Sequence, residues 1–479
     1  MSQFNQKIRT GLRKDAAALL DELAIRIPDR SSLETRLQAI AELLEQENQL
    51  TLERKKVSRQ VGAARKVNED PAELIARVSE ISKQIKQLAA KADDEIAQIA
   101  GEFESSAPSE QALPPLPSHL QRAESVLARG EDEDEGALTL AHTDTPDASQ
   151  WREFTESINH SNIYHDVKWC DLIKSNFGHT PYYITCRKSD GGLCGVFPVI
   201  HMNSRLFGSF LISMPYFNYG GPLSEYALVE QKMMDYAAEL GAKLDCSHLE
   251  VRETHPRDNW LSKQHKVTMI LPLPEDDKTL DAQLGSKVRA QVKRAAREDL
   301  EFSLGGVDLL TDFYRVFSQN MRDLGTPVYS KQFFKSILES FPDEASLAIV
   351  THKHKPVAAG FLLGHRDKLE IPWASSLRKA NPLGANMYMY RQILRSAIEQ
   401  GYQFFDFGRS SPQASTYQYK KQWGAQEHPL YWHYWMQGEQ ELPELNPNNP
   451  KYKLAIGVWQ HLPVSIANAI GPKVVRNLP

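Results

Sequence analysis

The chain has 479 residues, 41% of them hydrophobic and 24% charged, with a net charge of −5; this length predicts about three domains, and the apolar content excludes a wholly disordered chain. Cys170, Cys186, Cys194 and Cys246 form no CxxC pair and no metal-like spacing with histidine, which argues against a zinc or disulfide framework and predicts reduced core residues with no metal. The start lacks the apolar segment of a secretory signal and no run approaches 18 apolar residues, so a soluble cytoplasmic protein is expected.

Residues 1–103 read as a helical hairpin. Leu33, Leu37, Ile40 and Leu44 alternate at spacings of four and three, and Leu43, Leu50 and Val57 continue at seven. After a break at Asn68–Pro71, with Asp70 as N-cap, Leu74, Val78, Ile81, Ile85, Leu88 and Ala92 repeat the pattern. The distal half carries a basic excess that includes Arg54, Lys55, Lys56, Arg59, Arg65 and Lys66. Such a surface suits phosphates of structured RNA; a solvated coiled coil that spaces or dimerises is the alternative.

Residues 104–150 read as an acidic, proline-punctuated linker, with the run Glu131–Glu135 against only Arg122 and Arg129. Beyond it, strand-like runs alternate with amphipathic helices, and the order helix, hairpin, helix, strand occurs twice. This predicts two α/β units of similar plan, 151–275 and 276–440, followed by a tail over 441–479. The tail's two apolar bursts suit capping of the fold, dimerisation or contact with a membrane; its length and lack of a basic face favour packing.

Several residues carry candidate chemistry. At the end of an apolar strand, Asp406 and Arg409 form a rigid pair, or Arg409 holds an anionic group bidentately; the residues alone leave both open. Tyr417, Tyr419 and Lys421 alternate with Gln418, Lys420 and Gln422, as on a two-faced strand that separates Lys420 from Lys421. Arg289, Lys293 and Arg297 recur at spacing four on one helical face, either a phosphate site or a solvated face. Asn218, Tyr219 and Gly220-Gly221 lie on a strand-to-turn segment where backbone approaches a ligand. Tyr329 and Trp373 are weaker site choices, and His165 and Trp169 read as packing residues. "KANPLGAN", with Pro382 and no arginine, is a poor pyrophosphate loop, which argues against acetyl-CoA and leaves open an acyl-CoA donor bound otherwise; no cofactor is expected.

Two resemblances add to this reading. "MPYFNYGGP", "RDLGTPVYSKQFF", "KPVAAGFLLGHRDKLEIPWASS" and "FFDFGRS…YQYKKQWG" resemble the FemAB-like acyltransferases associated with exosortase and exopolysaccharide loci. "ERKKVSRQVGAARK", within residues 1–103, resembles the tRNA-binding arm of seryl-tRNA synthetases. Together they imply an α+β chain: an antiparallel coiled-coil arm, an acidic linker and two GNAT-like α/β domains. They imply transfer of an aminoacyl group from aminoacyl-tRNA to an amine on a cell-envelope glycan or peptidoglycan-type precursor. An acyl-CoA-dependent N-acyltransferase of exopolysaccharide synthesis, with the hairpin as an oligomerisation arm, is the alternative. In the cell-wall branch a Phe-Lys-x-x-Phe-Gly motif stabilises the oxyanion, and Tyr419-Lys420-Lys421-Gln422-Trp423-Gly424 matches it. The match implies Lys420 as charged donor with a backbone group near Tyr419. Substrate contacts are expected from Arg409, Asn218, Tyr219, Arg289, Lys293, Tyr329, Trp373 and Lys421, and tRNA contacts from the arm.

Overall fold

The computed structural model describes residues 8, 9, 12, 16, 19, 20, 23, 30–66, 70–105, 116–121, 138–204, 208–257, 259–412, 414–438, 442 and 456–478. The chain divides into two compact units, Met1–Pro115 and Leu116–Pro479.

The first unit is built on helices α1 (Arg30–Lys66) and α2 (Ala72–Ser105). At 1.5 Å per residue the 37-residue α1 is about 55 Å long. The Asp70 carboxylate accepts from Ala72 N at 3.0 Å, the N-cap expected from the sequence. Leu33, Leu37, Ile40 and Leu44 close on Ala92, Ile96 and Ile99, with Ile8, Leu19, Leu20 and Leu23 completing the cluster. Arg36–Glu102 and Arg9–Asp93, each at 2.8 Å, flank it. Farther along, Val57 and Ile81 are buried, while Leu52 and Ile75 are exposed.

The second unit is organised by one 13-stranded sheet. Its first half runs β1 (Thr139–Thr143), α3 (Ala148–Ser157), α4 (Lys168–Phe177), β2 (Thr180–Arg187), β3 (Leu193–Ser204), β4 (Gly208–Ile212), β5 (Leu223–Ser224), α5 (Ala227–Lys243), β6 (His248–Glu253) and β7 (Leu261–Pro272). The second half runs α6 (Asp277–Gln283), α7 (Ser286–Ala295), β8 (Leu300–Gly305), α8 (Leu310–Leu324), α9 (Lys331–Ser340), β9 (Ala345–His352), β10 (Lys355–His365), β11 (Lys368–Ser376), α10 (Ala385–Glu399), β12 (Phe404–Ser410), α11 (Ser415–Lys421) and β13 (Gln426–Met436). A C-terminal helix, α12, spans Val464–Val475.

The strand order β1-β2-β3-β4-β6-β13-β7-β12-β11-β10-β9-β8 reads as a palindrome of the two halves. Each half has an antiparallel hairpin, a further strand, and a parallel pair joined through a helix: β4 with β6, and β11 with β12. The last strands are exchanged. β7 follows β6 but pairs with β12, β13 follows β12 but pairs with β6, and the two meet at the centre. One aromatic core, with Trp151, Trp169, Phe217, Phe313, Phe334 and Phe361, draws on both halves.

The two α/β units of similar plan are the two halves of one sheet: each has a core cluster of its own, around Phe197 and Met233 in the first half and Met389 and Phe405 in the second, and the shared aromatic core and exchanged strands tie them together. The linker expected over 104–150 contributes two segments to the folded unit. β1 supplies the edge partner of β2, and Ser118 donates from N and Oγ to the Asp367 carboxylate at 2.9 Å. Residues 106–115 and 122–137 of that linker lie outside those described. In the tail, Arg322 donates to Leu462 O at 3.2 Å and Val475 is buried in the shared core, as packing requires. All four cysteines are buried and unbridged. Among the described residues no helix is long and apolar enough to cross a membrane.

Gly220 has φ +144°, and a Cβ there would lie 2.4 Å from Met214 Cβ. Gly220→Ala therefore combines backbone strain with overpacking and should destabilise the unit by about 1–3 kcal/mol; a denaturant melt against the parent checks this.

Candidate active site

The sheet's second parallel pair carries a dry knot of charge. Lys368 and Glu370 alternate along β11 with Leu369 and Ile371, so the two charged side chains share a face. Asp406 joins that face through the parallel register Glu370↔Asp406. Asp406 is 0% exposed, Glu370 1% and Lys368 3%. Lys368 Nζ donates to Glu370 at 3.2 Å and to Asp406 at 3.3 Å. Tyr219 Oη and Thr268 Oγ1 each donate to Asp406 at 2.8 Å, and Tyr164 Oη donates to Glu370 at 3.1 Å. Burial alone would lower the Lys368 ammonium, but Glu370 and Asp406 raise it above the ordinary lysine range. Burial raises Glu370, with Asp406 adding and Lys368 opposing.

A bulge then redirects β12. Asp406 faces Ile270 on β7 and Arg409 faces Thr268, so three steps on β12 match two on β7. Gly408, at φ +73°, takes the left-handed conformation this needs, and its N–H donates to Asp406 at 2.8 Å. Without the bulge, residues three apart would face opposite sides; with it, Arg409 shares the side of Asp406. Arg409 is exposed and, among the described residues, makes no ion pair. Asp406 is bonded to Lys368 instead, which decides against the Asp406–Arg409 pair. The protein around Arg409, then the like charge of Arg252, lowers its pKa to about 10. The Arg409 and Arg252 guanidiniums lie 5.6 and 4.4 Å from the Trp432 ring.

Lys420 comes to this strand end from α11. Its Nζ donates to Gly408 O and Arg409 O, both at 2.9 Å. Desolvation lowers its pKa to about 8, with Asp406 opposing and Arg409 adding to the fall. The strand expected over these residues is a helix, Ser415–Lys421. Its spacing-four neighbours make contacts: the Lys421 ammonium lies 5.9 Å from the Tyr417 ring, and the Tyr419 and Trp423 rings are 6.4 Å apart. The alternation was therefore also a helical i, i+4 pattern.

The helix corrects the role expected of Tyr419. In the second turn its N–H belongs to the helical ladder, so it is not the second oxyanion donor. Its ring packs 5.6 Å from that of Tyr390 on α10. Lys421 is exposed beside Tyr417, apart from the carbonyls that hold Lys420.

The other expected site residues divide. Tyr219 is in the charge knot, whereas Asn218 is half-buried one residue before it. Gly220-Gly221 line a small cavity with His119, His165 and Glu253; a Cβ on Gly220 would meet Met214, and one on Gly221 would lie 2.5 Å from Glu253 Cγ. Tyr329 and Trp373 form an aromatic wall with centroids 5.8 Å apart, continued by Tyr216 at 5.7 Å from Tyr329. Tyr329 also faces Arg409 electrostatically. Arg289 and Lys293 are exposed on α7; Arg289 bonds Ala282 O at 3.1 Å, so that face is solvated rather than brought to the strand end. His165 and Trp169 are buried packing residues, bonded to Gly221 O and Ile163 O. On α1, Lys55, Lys56 and Arg59 are exposed and Arg54 is half-buried. The side chains of Arg65 and Lys66 lie outside those described.

Sequence reasoning missed Lys368, Glu370, Thr268, Arg252, Lys266 and Trp432. Lys266 is half-buried and donates to Ser411 Oγ at 2.6 Å, one residue past β12. The one available signal was "KLEIPWASS", where two charges alternate with apolar residues inside a strand.

The turn before α10 is closed by packing rather than being a glycine-rich loop. Arg378–Leu383 form a 3₁₀ turn that includes Pro382, and a Cβ on Gly384 would meet Ala295 Cβ at 3.0 Å, so α7 packs on that turn.

Residues 285–421 match the acetyltransferase (GNAT) domain family, which makes the second half an acyltransferase domain. None of the curated proteins matches the chain in sequence. Among solved structures the chain is similar to FemX, at 13% identity and a TM-score of 0.48, over 66% of this chain and 100% of that one. It is also similar to L-PGS from Bacillus licheniformis, at 13% identity and a TM-score of 0.44, over 66% and 98%. A tandem GNAT protein from the clavulanic acid biosynthesis pathway is similar at 8% identity and a TM-score of 0.39, over 64% and 100%.

Lys368→Met would leave two carboxylates in a dry core without their shared cation. Stability should fall by about 3–5 kcal/mol, read from the midpoint of a urea or guanidinium melt at neutral pH.

Proposed function

We propose that the chain transfers an aminoacyl group from aminoacyl-tRNA to an amine on a cell-envelope glycan or peptidoglycan-type precursor. The observation that carries this reading is the Lys420 ammonium: half-buried, depressed in pKa, and committed by two of its three N–H groups to Gly408 O and Arg409 O. The third N–H is then available to an oxygen on the substrate. An aminoacyl ester is already activated, so the demand falls on stabilising the oxyanion formed when the amine attacks its carbonyl carbon. Lys420 meets that charge, and Arg409 beside it binds an anionic group of a substrate. As the intermediate collapses, the C–N bond is retained and the C–O bond to the tRNA ribose breaks. The amine's proton passes to the departing ribose hydroxyl, so no protein base is assigned. Tyr329 and Trp373 supply an apolar wall. Arg54, Lys55, Lys56, Arg59, Arg65 and Lys66 are assigned to tRNA phosphates.

The GNAT family match favours a second reading, acyl-CoA-dependent N-acylation with the arm as an oligomerisation element. The packing of α7 on Gly384 weighs against it.

Lys420→Ala should lower transfer about a hundred- to a thousandfold, as for loss of one oxyanion donor, with the fold retained. Lys421→Ala should be mild. Equal losses would make the two lysines a general phosphate clamp. A single-turnover transfer assay with charged tRNA and amine acceptors decides between these outcomes.

Replacing Lys55, Lys56 and Arg59 together with alanine in the full chain should weaken tRNA binding and reduce its salt slope by about two to three. Unchanged binding in a salt titration, joined to a thermal shift with acetyl-CoA, would favour the second reading.

A further inference from the structure

We propose that Asp406 is the positioning residue of this site: its buried carboxylate fixes the Gly408 bulge, and the bulge sets the two carbonyls that hold Lys420 and the side from which Arg409 emerges. The inference rests on the reading of Lys420 as the cation that meets the oxyanion, and it adds the device that places it.

Oδ1 of Asp406 accepts from Gly408 N and from Thr268 Oγ1, each at 2.8 Å. Oδ2 accepts from Tyr219 Oη at 2.8 Å and from Lys368 at 3.3 Å. Tyr219 comes from the first half, Thr268 from the exchanged strand β7, and Lys368 from β11. One carboxylate thus ties three separate segments to a turn two residues ahead. That turn is costly in isolation, because a left-handed residue and a bulge leave the ladder locally unpaired; the bond from Gly408 N satisfies the donor the bulge frees. The carbonyls of Gly408 and Arg409 then converge on Lys420 Nζ at equal distance. Asp406 touches no reacting atom in this scheme and acts through Gly408.

The groups that face Lys420 are Asp406 and Glu370, which favour its ammonium, and Arg409, which opposes it. Lys266 on β7 is bonded to Ser411 near the same strand end, and Lys421 follows on α11 itself. Removing the Asp406 charge while keeping its shape should therefore lower the pH at which Lys420 loses its proton.

The test uses the intact chain and Asp406→Asn. Labelling of Lys420 by an amine-selective reagent, followed by peptide mass spectrometry across pH 6–10, gives its titration midpoint without any substrate. Transfer kinetics with charged tRNA are measured on the same variant. The proposal expects a midpoint below the parent's value of about 8 and a kcat reduced about a hundredfold, the scale of a misplaced catalytic group, with KM little changed. A lowered midpoint with full transfer would leave the hold on Lys420 standing and overturn its role in the reaction. An unchanged midpoint would overturn the positioning role, even where stability falls. Should Asp406→Asn fail to fold, Thr268→Ala serves with amide hydrogen exchange of Gly408–Ser410. Faster exchange than in the parent supports the proposal, and equal protection overturns it.

Discussion

The pairing of β7 with β13 is the constraint on which the second unit depends. Each strand leaves the half that precedes it in sequence and completes the other, so neither half has a finished sheet by itself. A cut between the halves would expose the edges of β6, β12 and both exchanged strands, and would divide an aromatic core to which both contribute. Exposed edges and split cores are strongly disfavoured, so the halves are obliged to fold as one body. Thr268 on β7 and Tyr219 from the first half can therefore be spent on Asp406 in the second half. A site assembled across two halves is as rigid as the seam that joins them.

The charge knot is an uneven exchange of stability for geometry. Two carboxylates and one ammonium in a dry interior cost desolvation that their mutual attraction only partly offsets. An apolar set of the same volume would hold β11 to β12 at least as well. What it would not supply is an acceptor for the N–H that Gly408 turns inward, and without that acceptor the bulge has an orphaned donor. Glu370, pushed up by burial, gives the knot a second acceptor for Lys368 with less negative charge to offset. The network is then better understood as a support for the strand end than as a source of stability.

Helices and hairpins were largely legible in the sequence because their signals are local. Asp70 caps α2, and Leu33, Leu37, Ile40 and Leu44 of α1 close on Ala92 of α2. The exchange was not legible: β7 and β13 pair with strands more than a hundred residues away, and no local pattern names a distant partner. "LYWHYWM" in β13 shows only that an aromatic strand exists. The helix at Ser415–Lys421 was misread because seven residues with apolar members at 417 and 419 fit both periods, and tertiary packing on Tyr390 decides between them. Lys420 and Arg409 were found through their resemblance and their place after an apolar strand. Asp406 was seen, but its partner was not, since Lys368 comes to it from another strand.

The duplicated plan also explains why the chemistry is assigned to one half. Glu250 stands opposite Ile212 as Asp406 stands opposite Glu370, so the two acidic residues occupy matching positions at the two parallel pairs. Two residues on, the first half has Arg252 and the second has Gly408. Arg252 is buried, bonded to Glu250 at 2.7 Å and to Phe217 O at 2.7 Å, and its side chain fills the end of its own strand. Gly408 has no side chain, and its φ of +73° turns the chain. A Cβ at Gly408 would meet only Ile371 O, at 3.7 Å, so the turn rather than a lack of room reserves the position for glycine. With Arg252 the first half has a filled, rigid strand end; with Gly408 the second half turns its strand end so that two backbone carbonyls meet Lys420.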